Sequence, residues 1–265
     1  MNIRNALKES GLPSLEAEVL LSKVLGTDRT MLLTHGDTML RNEDEALFTF
    51  FTDRRKKNEP ISYIVGYKEF YGRQFDVNSD VLIPRPATEG LVDTVLQFFQ
   101  EGEGGCTEID TDISALVLPF EGRGEPKLLA DIGTGSGCIA TTLALHTPYE
   151  ILATDISDGA LFVAKKNAIN HGVSHKISFT KGSMLGPLVN MSTYFFVVTN
   201  PPYIPTTESL MPDVADYEPH GALFAGQDGM SVLLPLFLEA KSHPFCSGIA
   251  LECRNFQAEE LLKIL

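Results

Sequence analysis

The 265-residue sequence has no tryptophan, only four cysteines, and 21 basic side chains against 35 acidic ones. Each shortage excludes something. Cys106, Cys138, Cys246 and Cys253 show no C-x-x-C spacing and only scattered histidines accompany them, so neither a metal site nor a disulfide framework is expected. A formal charge of −14 argues against broad binding to a phosphate backbone, which needs clustered Lys and Arg. No apolar run approaches the roughly 18 residues that span a bilayer; the densest, Val232 to Leu238, is short and contains Pro235. No apolar segment of the kind a secretory signal carries follows Met1-Asn2-Ile3-Arg4. The expectation is a soluble, monomeric protein of the cytoplasm or an organellar matrix, with no membrane and no direct nucleic-acid partner. Charge is also uneven: residues 1–80 carry 11 basic and 13 acidic side chains, the rest 10 and 22. The acidic second part steers a basic or neutral partner better than DNA or RNA.

What is present divides into two patterns. Residues 1–60 read as short amphipathic helices, with Ser14 as an N-cap and Gly26 as a stop. Asn42 and Glu45 have capping-box spacing, and Leu47, Phe50 and Phe51 form an apolar stripe at i, i+3, i+4. Arg54-Arg55-Lys56-Lys57 at that helix's end completes its dipole; contact with nucleic acid is the alternative. Residues 61–83, aromatic-rich around Gly66 and Gly72, predict a linker built on a β-hairpin. Residues 84–265 then form a second domain, opening with a helix near 88–100. Within it, 101–126 read as an acidic, glycine-rich insertion whose apolar piece, Ala115–Phe120, packs down. From Lys127 strands (127–132, 150–156, 176–180, 194–199, 248–253) alternate with helices (138–146, 158–171, 229–242, and one from 256). That alternation predicts an α/β fold with a parallel, Rossmann-like sheet.

The first of those strands runs into Asp131-Ile132-Gly133-Thr134-Gly135-Ser136-Gly137 and then an apolar helix. Glycines here let the backbone turn tightly and approach a ligand, and the helix presents free N–H groups. The spacing G-x-G-x-G differs from the dinucleotide fingerprint G-x-G-x-x-G, and no G-K-[ST] closes a Walker loop. Asp155 ends the next strand, where a carboxylate accepts ribose hydroxyls; helix capping or surface charge is the structural alternative for Asp131 and Asp155. Together these point to S-adenosylmethionine rather than NAD, with adenine near Lys181-Gly182-Ser183-Met184 and Met184 either on the ring or in the core.

Asn200-Pro201-Pro202-Tyr203 follows the buried run Tyr194–Val198. Two prolines fix φ and remove two donors, leaving a rim of acceptors, the Asn200 carboxamide oxygen and the Pro201 carbonyl, beside the flat Tyr203 ring. Such a rim suits a planar amino group.

These segments resemble the release-factor glutamine methyltransferases, class I S-adenosylmethionine-dependent enzymes. The resemblance is carried by Glu59–Gly66, Phe70-Tyr71-Gly72, Leu82-Ile83-Pro84-Arg85-Pro86-Ala87-Thr88-Glu89, the glycine loop, Asn200–Ile204, and Glu218-Pro219 with Ala222–Gly226. It implies cofactor contacts at Gly133, Thr134, Gly135, Ser136, Gly137, Asp155, Met184 and Asn200. It implies an acceptor glutamine at Asn200, Pro201, Pro202 and Tyr203, with catalytic parts for Asn200, Pro201 and Tyr203. The acceptor would be the glutamine of the Gly-Gly-Gln motif of a class 1 peptide release factor, gripped by the helical N-terminus. Three departures stand out: Ser183 occupies a position usually acidic, 101–125 exceeds the usual connection, and no closing antiparallel strand pair follows Glu252, so an open sheet edge is expected. Arg85 would tie the linker to the catalytic domain. Two other readings stay open on the residues alone: an amino methyltransferase acting on adenine N6 or guanine N2, and a non-catalytic cofactor-binding protein.

Overall fold

The computed structural model describes residues 1–101, 105–108 and 112–265, without the side chains of 105, 106 and 108. In chain order the elements are α1 (Ile3–Glu9), α2 (Ser14–Leu25), α3 (Arg29–Thr34), α4 (Asn42–Lys56), α5 (Ile61–Val65), β1 (Tyr67–Phe70), β2 (Arg73–Asp76), α6 (Pro86–Glu101), β3 (Gly105–Glu108) and β4 (Ile113–Pro119). There follow β5 (Leu128–Ile132), α7 (Cys138–His146), β6 (Glu150–Asp155), α8 (Asp158–Asn170), β7 (Ile177–Lys181), β8 (Phe195–Thr199), α9 (Pro212–Ala215), α10 (Leu233–Ser242), β9 (Cys246–Arg254) and α11 (Asn255–Leu262). The chain divides into two compact units: Met1–Tyr67 with Leu210–Tyr217, and Lys68–Ser209 with Glu218–Leu265.

The first unit is helical and closes on Ile3, Leu20, Leu21, Leu32, Phe48, Ile64 and Val65. Its caps differ from the sequence expectation. Pro13 and Arg41, not Ser14 and Asn42, occupy the N-cap positions, and neither makes a side-chain cap bond. Glu45 instead pairs with the N-terminal ammonium at 2.9 Å. The buried face of α4 is Asp44, Phe48 and Thr52, while Leu47 and Phe50 are exposed. Polar side chains tolerate that face because Arg41 holds the Asp44 carboxylate at 2.7 and 2.8 Å, and the Thr52 hydroxyl bonds back to Thr49 O. The two arginines of the basic run form ion pairs, Arg54 with Glu59 and Arg55 with Glu16. Residues 61–65, expected within the linker, are helical because Pro60 supplies a preset φ at the N-cap and Gly66, at φ 85°, stops the turn.

The second unit is a seven-stranded sheet in the order β3-β4-β9-β8-β5-β6-β7. The five strands from β9 to β7 run parallel. Side chains alternate between faces: Leu129, Phe196, Val198 and Ala250 join one core with Leu91, Val95 and Leu143. Ala130, Ile132, Val197, Ile249 and Leu251 join the other with Leu233 and Phe237. Strands buried on both faces read as continuous apolar runs, which is why they stand out in the sequence. α10 begins at Leu233, four residues later than the periodicity suggests.

The flank of β9 expected to be open is occupied. β4 pairs with it antiparallel from Ile113↔Arg254 to Pro119↔Gly248, and β3 pairs antiparallel with β4. The Ala115–Phe120 piece of the acidic segment thus packs as part of a sheet strand, with Ala115, Leu116 and Val117 fully buried. An antiparallel pair upstream of β5 stands where the family pattern suggests one downstream of β9. The insertion reading at 102–104 and 109–111 lies outside the described residues.

Candidate active site

From β5 the chain proceeds to β6 and β7 on one side, then returns to β8 and β9 on the other. The switch point between β5 and β8 is where open α/β sheets bind ligands. The glycine loop leaves the carboxyl end of β5 and Asn200-Pro201-Pro202-Tyr203 leaves that of β8, side by side. Thr199 Oγ1 donates to Ile132 O at 2.7 Å, locking the two strand ends together.

On the glycine side, Gly133, Gly135 and Gly137 have φ of 72, 53 and 77°, a region that L side chains rarely adopt. A Cβ on Gly133 would project into open space, and one on Gly135 would meet only Gly133 O at 4.0 Å. Gly137 differs: its Cβ would lie 2.9 Å from Ala164 Cβ, so that glycine serves the packing of α7 on α8. The buried Asp131 carboxylate accepts from Thr134 Oγ1 at 2.6 Å and from the Ala140 N–H at 3.0 Å. The capping alternative therefore holds for Asp131, which reaches across to the first turn of α7. Burial pushes its pKa to about 7, against the effect of those two donors. Its Oδ1 is buried with no hydrogen-bond partner among the described residues.

Asp155 receives the Gly135 N–H on Oδ2 and the Ser157 N–H on Oδ1, both at 2.9 Å, and fixes the loop from the β6 side. Ser136 is anchored by Asn167 Nδ2 donating to its carbonyl at 2.8 Å. Met184, at φ 48°, packs against the core on that face and lines, with Ser183 and Val189, a cavity of about 690 Å³ that reaches Glu239 and His243 on α10 and its end. That cavity lies beside α10 rather than at the strand ends.

A nucleoside cofactor fits this cradle on two observations. Open space stands over Gly133 and Gly135, where any side chain would intrude, and a buried oxygen of Asp131 beneath the loop lacks a donor among the described residues.

On the other side, Asn200 Nδ2 donates to Thr88 Oγ1 in the first turn of α6 at 2.9 Å. With a donor of Nδ2 engaged by Thr88, the carboxamide keeps Oδ1 as its acceptor. Among the described residues no donor bonds to Oδ1 or to the Pro201 carbonyl. Tyr203 is pinned at both ends: its hydroxyl donates to Glu252 Oε1 at 2.9 Å and its carbonyl accepts from Gln257 Nε2 at 3.0 Å. Gln257 also donates to Gly229 O at 3.1 Å, and a Cβ on Gly229 would fall 2.3 Å from Tyr203 O. Burial first, then the neighbouring Glu252, pushes the Tyr203 hydroxyl pKa well up, so it remains a donor.

The remaining motifs form a girdle around this loop. Glu218, buried, accepts from Arg85 at 2.5 Å and from the Ile83 N–H at 3.1 Å. Leu223 O and Ala225 N pair with Ile204. Arg85 thus orders the segment that leads into Thr88.

The structure therefore brings Gly133, Gly135, Asp155, Asn200, Pro201 and Tyr203 to the carboxyl ends of β5, β6 and β8 and gives Gly137 to packing. Sequence reading missed Thr88, Glu252 and Gln257. Thr88 and Glu252 lay inside or at the end of quoted motifs without a role, and a Glu within the apolar strand Cys246–Cys253 was the available signal. Among the described residues no group of three or more His, Cys, Asp or Glu is placed to hold a metal, and no helix is long and apolar enough to cross a membrane.

Comparison with known proteins identifies the family. Residues 2–66 match the PrmC N-terminal domain and residues 105–214 the methyltransferase small domain. The chain is 36% identical over 235 residues to the release factor glutamine methyltransferase of Nitratidesulfovibrio vulgaris, covering 88% of this chain and 72% of that one. It is 35% identical over 258 residues to the enzyme of the same name from Coxiella burnetii, covering 97% and 84%. A bifunctional methyltransferase of Rickettsia typhi is 36% identical over 271 residues, covering 99% of this chain and 51% of that longer protein. On its fold and this likeness, the chain belongs to the release factor glutamine methyltransferases, S-adenosylmethionine-dependent enzymes.

Proposed function

We propose that this chain methylates the side-chain amide nitrogen of the glutamine in the Gly-Gly-Gln motif of a class 1 peptide release factor, and that Asn200, Pro201 and Tyr203 carry the acceptor side. The observation that supports it is the Asn200–Thr88 hydrogen bond at 2.9 Å. It commits a carboxamide donor to the protein and leaves the Asn200 oxygen, with the neighbouring Pro201 carbonyl, as an acceptor.

An amide nitrogen is a weak nucleophile because its lone pair is delocalised into the carbonyl. Asn200 Oδ1 and Pro201 O each accept one of its N–H bonds and fix its direction, which is positioning. The same two oxygens stabilise the positive charge that grows on nitrogen as it is alkylated, and they are already oriented before reaction. Tyr203 forms a flat wall against the amide plane. The nitrogen then releases a proton to solvent, so these residues need no dedicated base.

S-adenosylmethionine, when bound, supplies the electrophilic methyl group. The residues that would hold it are the loop Gly133–Gly137 and Asp155, with Asn200 at the boundary between the two halves of the site. Met184 is the assigned contact beyond β7. The helical unit at the N-terminus, residues 1–60, is assigned to gripping the release factor, a protein rather than a nucleic-acid partner. A cytoplasmic or organellar-matrix location and a monomeric state belong to the same proposal.

The test offers the purified chain a class 1 release factor, ribosomal RNA and DNA separately with methyl-labelled cofactor, then maps the label by mass spectrometry. One methyl on the glutamine of Gly-Gly-Gln is the expected result. Label on a base amine, or on no substrate, overturns the reading.

A further inference from the structure

Glu252 lies near the end of β9, in a strand where every residue from Cys246 to Cys253 is buried. Its residue exposure is 0%, and among the described residues it forms no ion pair. The two nearby guanidinium groups are engaged elsewhere, Arg85 with Glu218 and Arg254 with Glu208. Oε1 is held by the Tyr203 hydroxyl. Oε2 is buried and, among the described residues, no hydrogen bond closes on it. Burial raises the carboxyl's pKa, opposed by the Thr88 and Tyr203 hydroxyls and the Asn200 amide, which favour the charged form. A buried, incompletely paired carboxyl is costly, and apolar neighbours on both sides show that the strand has no need of it.

Its position answers a question the acceptor rim leaves open. A carboxamide can turn over by half a rotation, exchanging oxygen for NH2 at nearly equal shape. The Thr88 hydroxyl does not decide between the two, because it can both donate and accept. A carboxylate behind Thr88 does decide. When ionised it accepts only, so it draws the hydroxyl proton toward itself and leaves the Thr88 lone pairs for Asn200 Nδ2.

We propose that Glu252, acting through Thr88, is a positioning residue that keeps the Asn200 carboxamide oxygen facing the acceptor amide. The proposal rests on the acceptor role given to Asn200 above. A neutral amide in place of Glu252 reverses the relay: its NH2 takes the Thr88 lone pair, the hydroxyl proton turns to Asn200, and the carboxamide flips. Donor then faces donor at the reacting nitrogen. Protonation of Glu252 has the same consequence. The other charged or titratable groups facing it are Arg85 and Tyr203, whose raised pKa keeps it neutral.

The experiment compares single-turnover transfer to the release factor by wild type, Glu252→Gln, Thr88→Val, Thr88→Ser and Asn200→Ala, with cofactor affinity and melting temperature measured on each. Glu252→Gln and Thr88→Val are expected to slow transfer by about two orders of magnitude, and Thr88→Ser to restore most of it. Cofactor affinity should change less than about threefold in all of them. The Glu252→Gln protein should melt no lower than wild type, and the acid limb of the wild-type pH–rate profile should vanish in it. A purely structural carboxyl gives the opposite pattern: lower melting temperature with transfer rescued by the isosteric Gln. If Asn200→Ala is slow while Glu252→Gln turns over at the wild-type rate, the positioning role is overturned and the acceptor reading stands. If Asn200→Ala is as fast as wild type, both are overturned.

Discussion

The two halves of the site are built on different principles. The glycine half is a backbone device: three residues at positive φ, a capping carboxylate from β5 and a clamping carboxylate from β6. All but Asp155 fall within ten consecutive positions, 131 to 140. The acceptor half is a side-chain device. Asn200 meets Thr88 from 112 positions away, and Tyr203 meets Glu252 and Gln257 from 49 and 54 positions away. A backbone cradle tolerates almost any neighbouring side chain but demands glycine. A side-chain rim tolerates little change in polarity, since each donor or acceptor orients the next.

Several variants sharpen or break that contrast. Asn200→Ala should produce the largest effect, slowing single-turnover transfer by about two orders of magnitude or more, roughly 3 kcal/mol, with cofactor affinity reduced far less. Equal losses in both would erase the distinction between the halves.

Two glycines at nearly the same φ provide the next test. Gly229→Ala drives a Cβ into Tyr203 O, and urea unfolding should register a loss on the order of 3 kcal/mol, accompanied by slower transfer. Gly133→Ala meets no protein atom, so its folding loss should be about 1 kcal/mol. The new methyl stands in the ligand's space, however, and cofactor affinity measured by calorimetry should fall at least tenfold, on the order of 1.4 kcal/mol. A Gly133→Ala protein that binds cofactor normally would remove the cradle from the account.

Tyr203→Phe comes third. It deletes the donor to Glu252 Oε1, worth roughly 1–3 kcal/mol. A folding loss of that size with a smaller rate effect than Asn200→Ala is expected from denaturation and turnover measurements.

The smallest effect concerns pH. Asp131 has a folded pKa of about 7 against an ordinary value of 3.8, so the folded state binds its proton more tightly than the unfolded state. Its contribution is most favourable below the ordinary value and declines as pH rises toward about 7. The urea midpoint of the wild type should therefore drop more between about pH 4 and pH 7 than that of Asp131→Asn. Parallel profiles for the two proteins would show that Asp131 is ionised throughout.

The same contrast explains what the sequence disclosed. The parallel strands were legible because burial on both faces gives continuous apolar runs, and the glycine loop because positive φ selects glycine residue by residue. Asn200 was legible from its prolines. Thr88 and Glu252 were not, since their meaning depends on which strands become neighbours: β9 reaches the site only because it pairs with β8. The β3–β4 pair was obscured by glycines and acidic residues flanking a short apolar piece, and its partner β9 lies more than a hundred positions downstream. On α4 the error was different. The stripe was read at Leu47, Phe50 and Phe51, but the buried face carries Asp44, Phe48 and Thr52, and the Arg41 pairing and a hydroxyl bond to the backbone make the burial of the two polar residues tolerable.

The central claim is that an acceptor oxygen on residue 200 prepares a glutamine amide for methylation. Its most direct test is single-turnover methylation of a class 1 release factor by wild type and Asn200→Ala, with the modified residue mapped and cofactor affinity measured on the same preparations. The account predicts one methyl on the Gly-Gly-Gln glutamine from the wild type and transfer slowed about a hundredfold in the variant, with cofactor binding nearly intact. A methyl mapped to another residue, or a variant that keeps pace with the wild type, would contradict it.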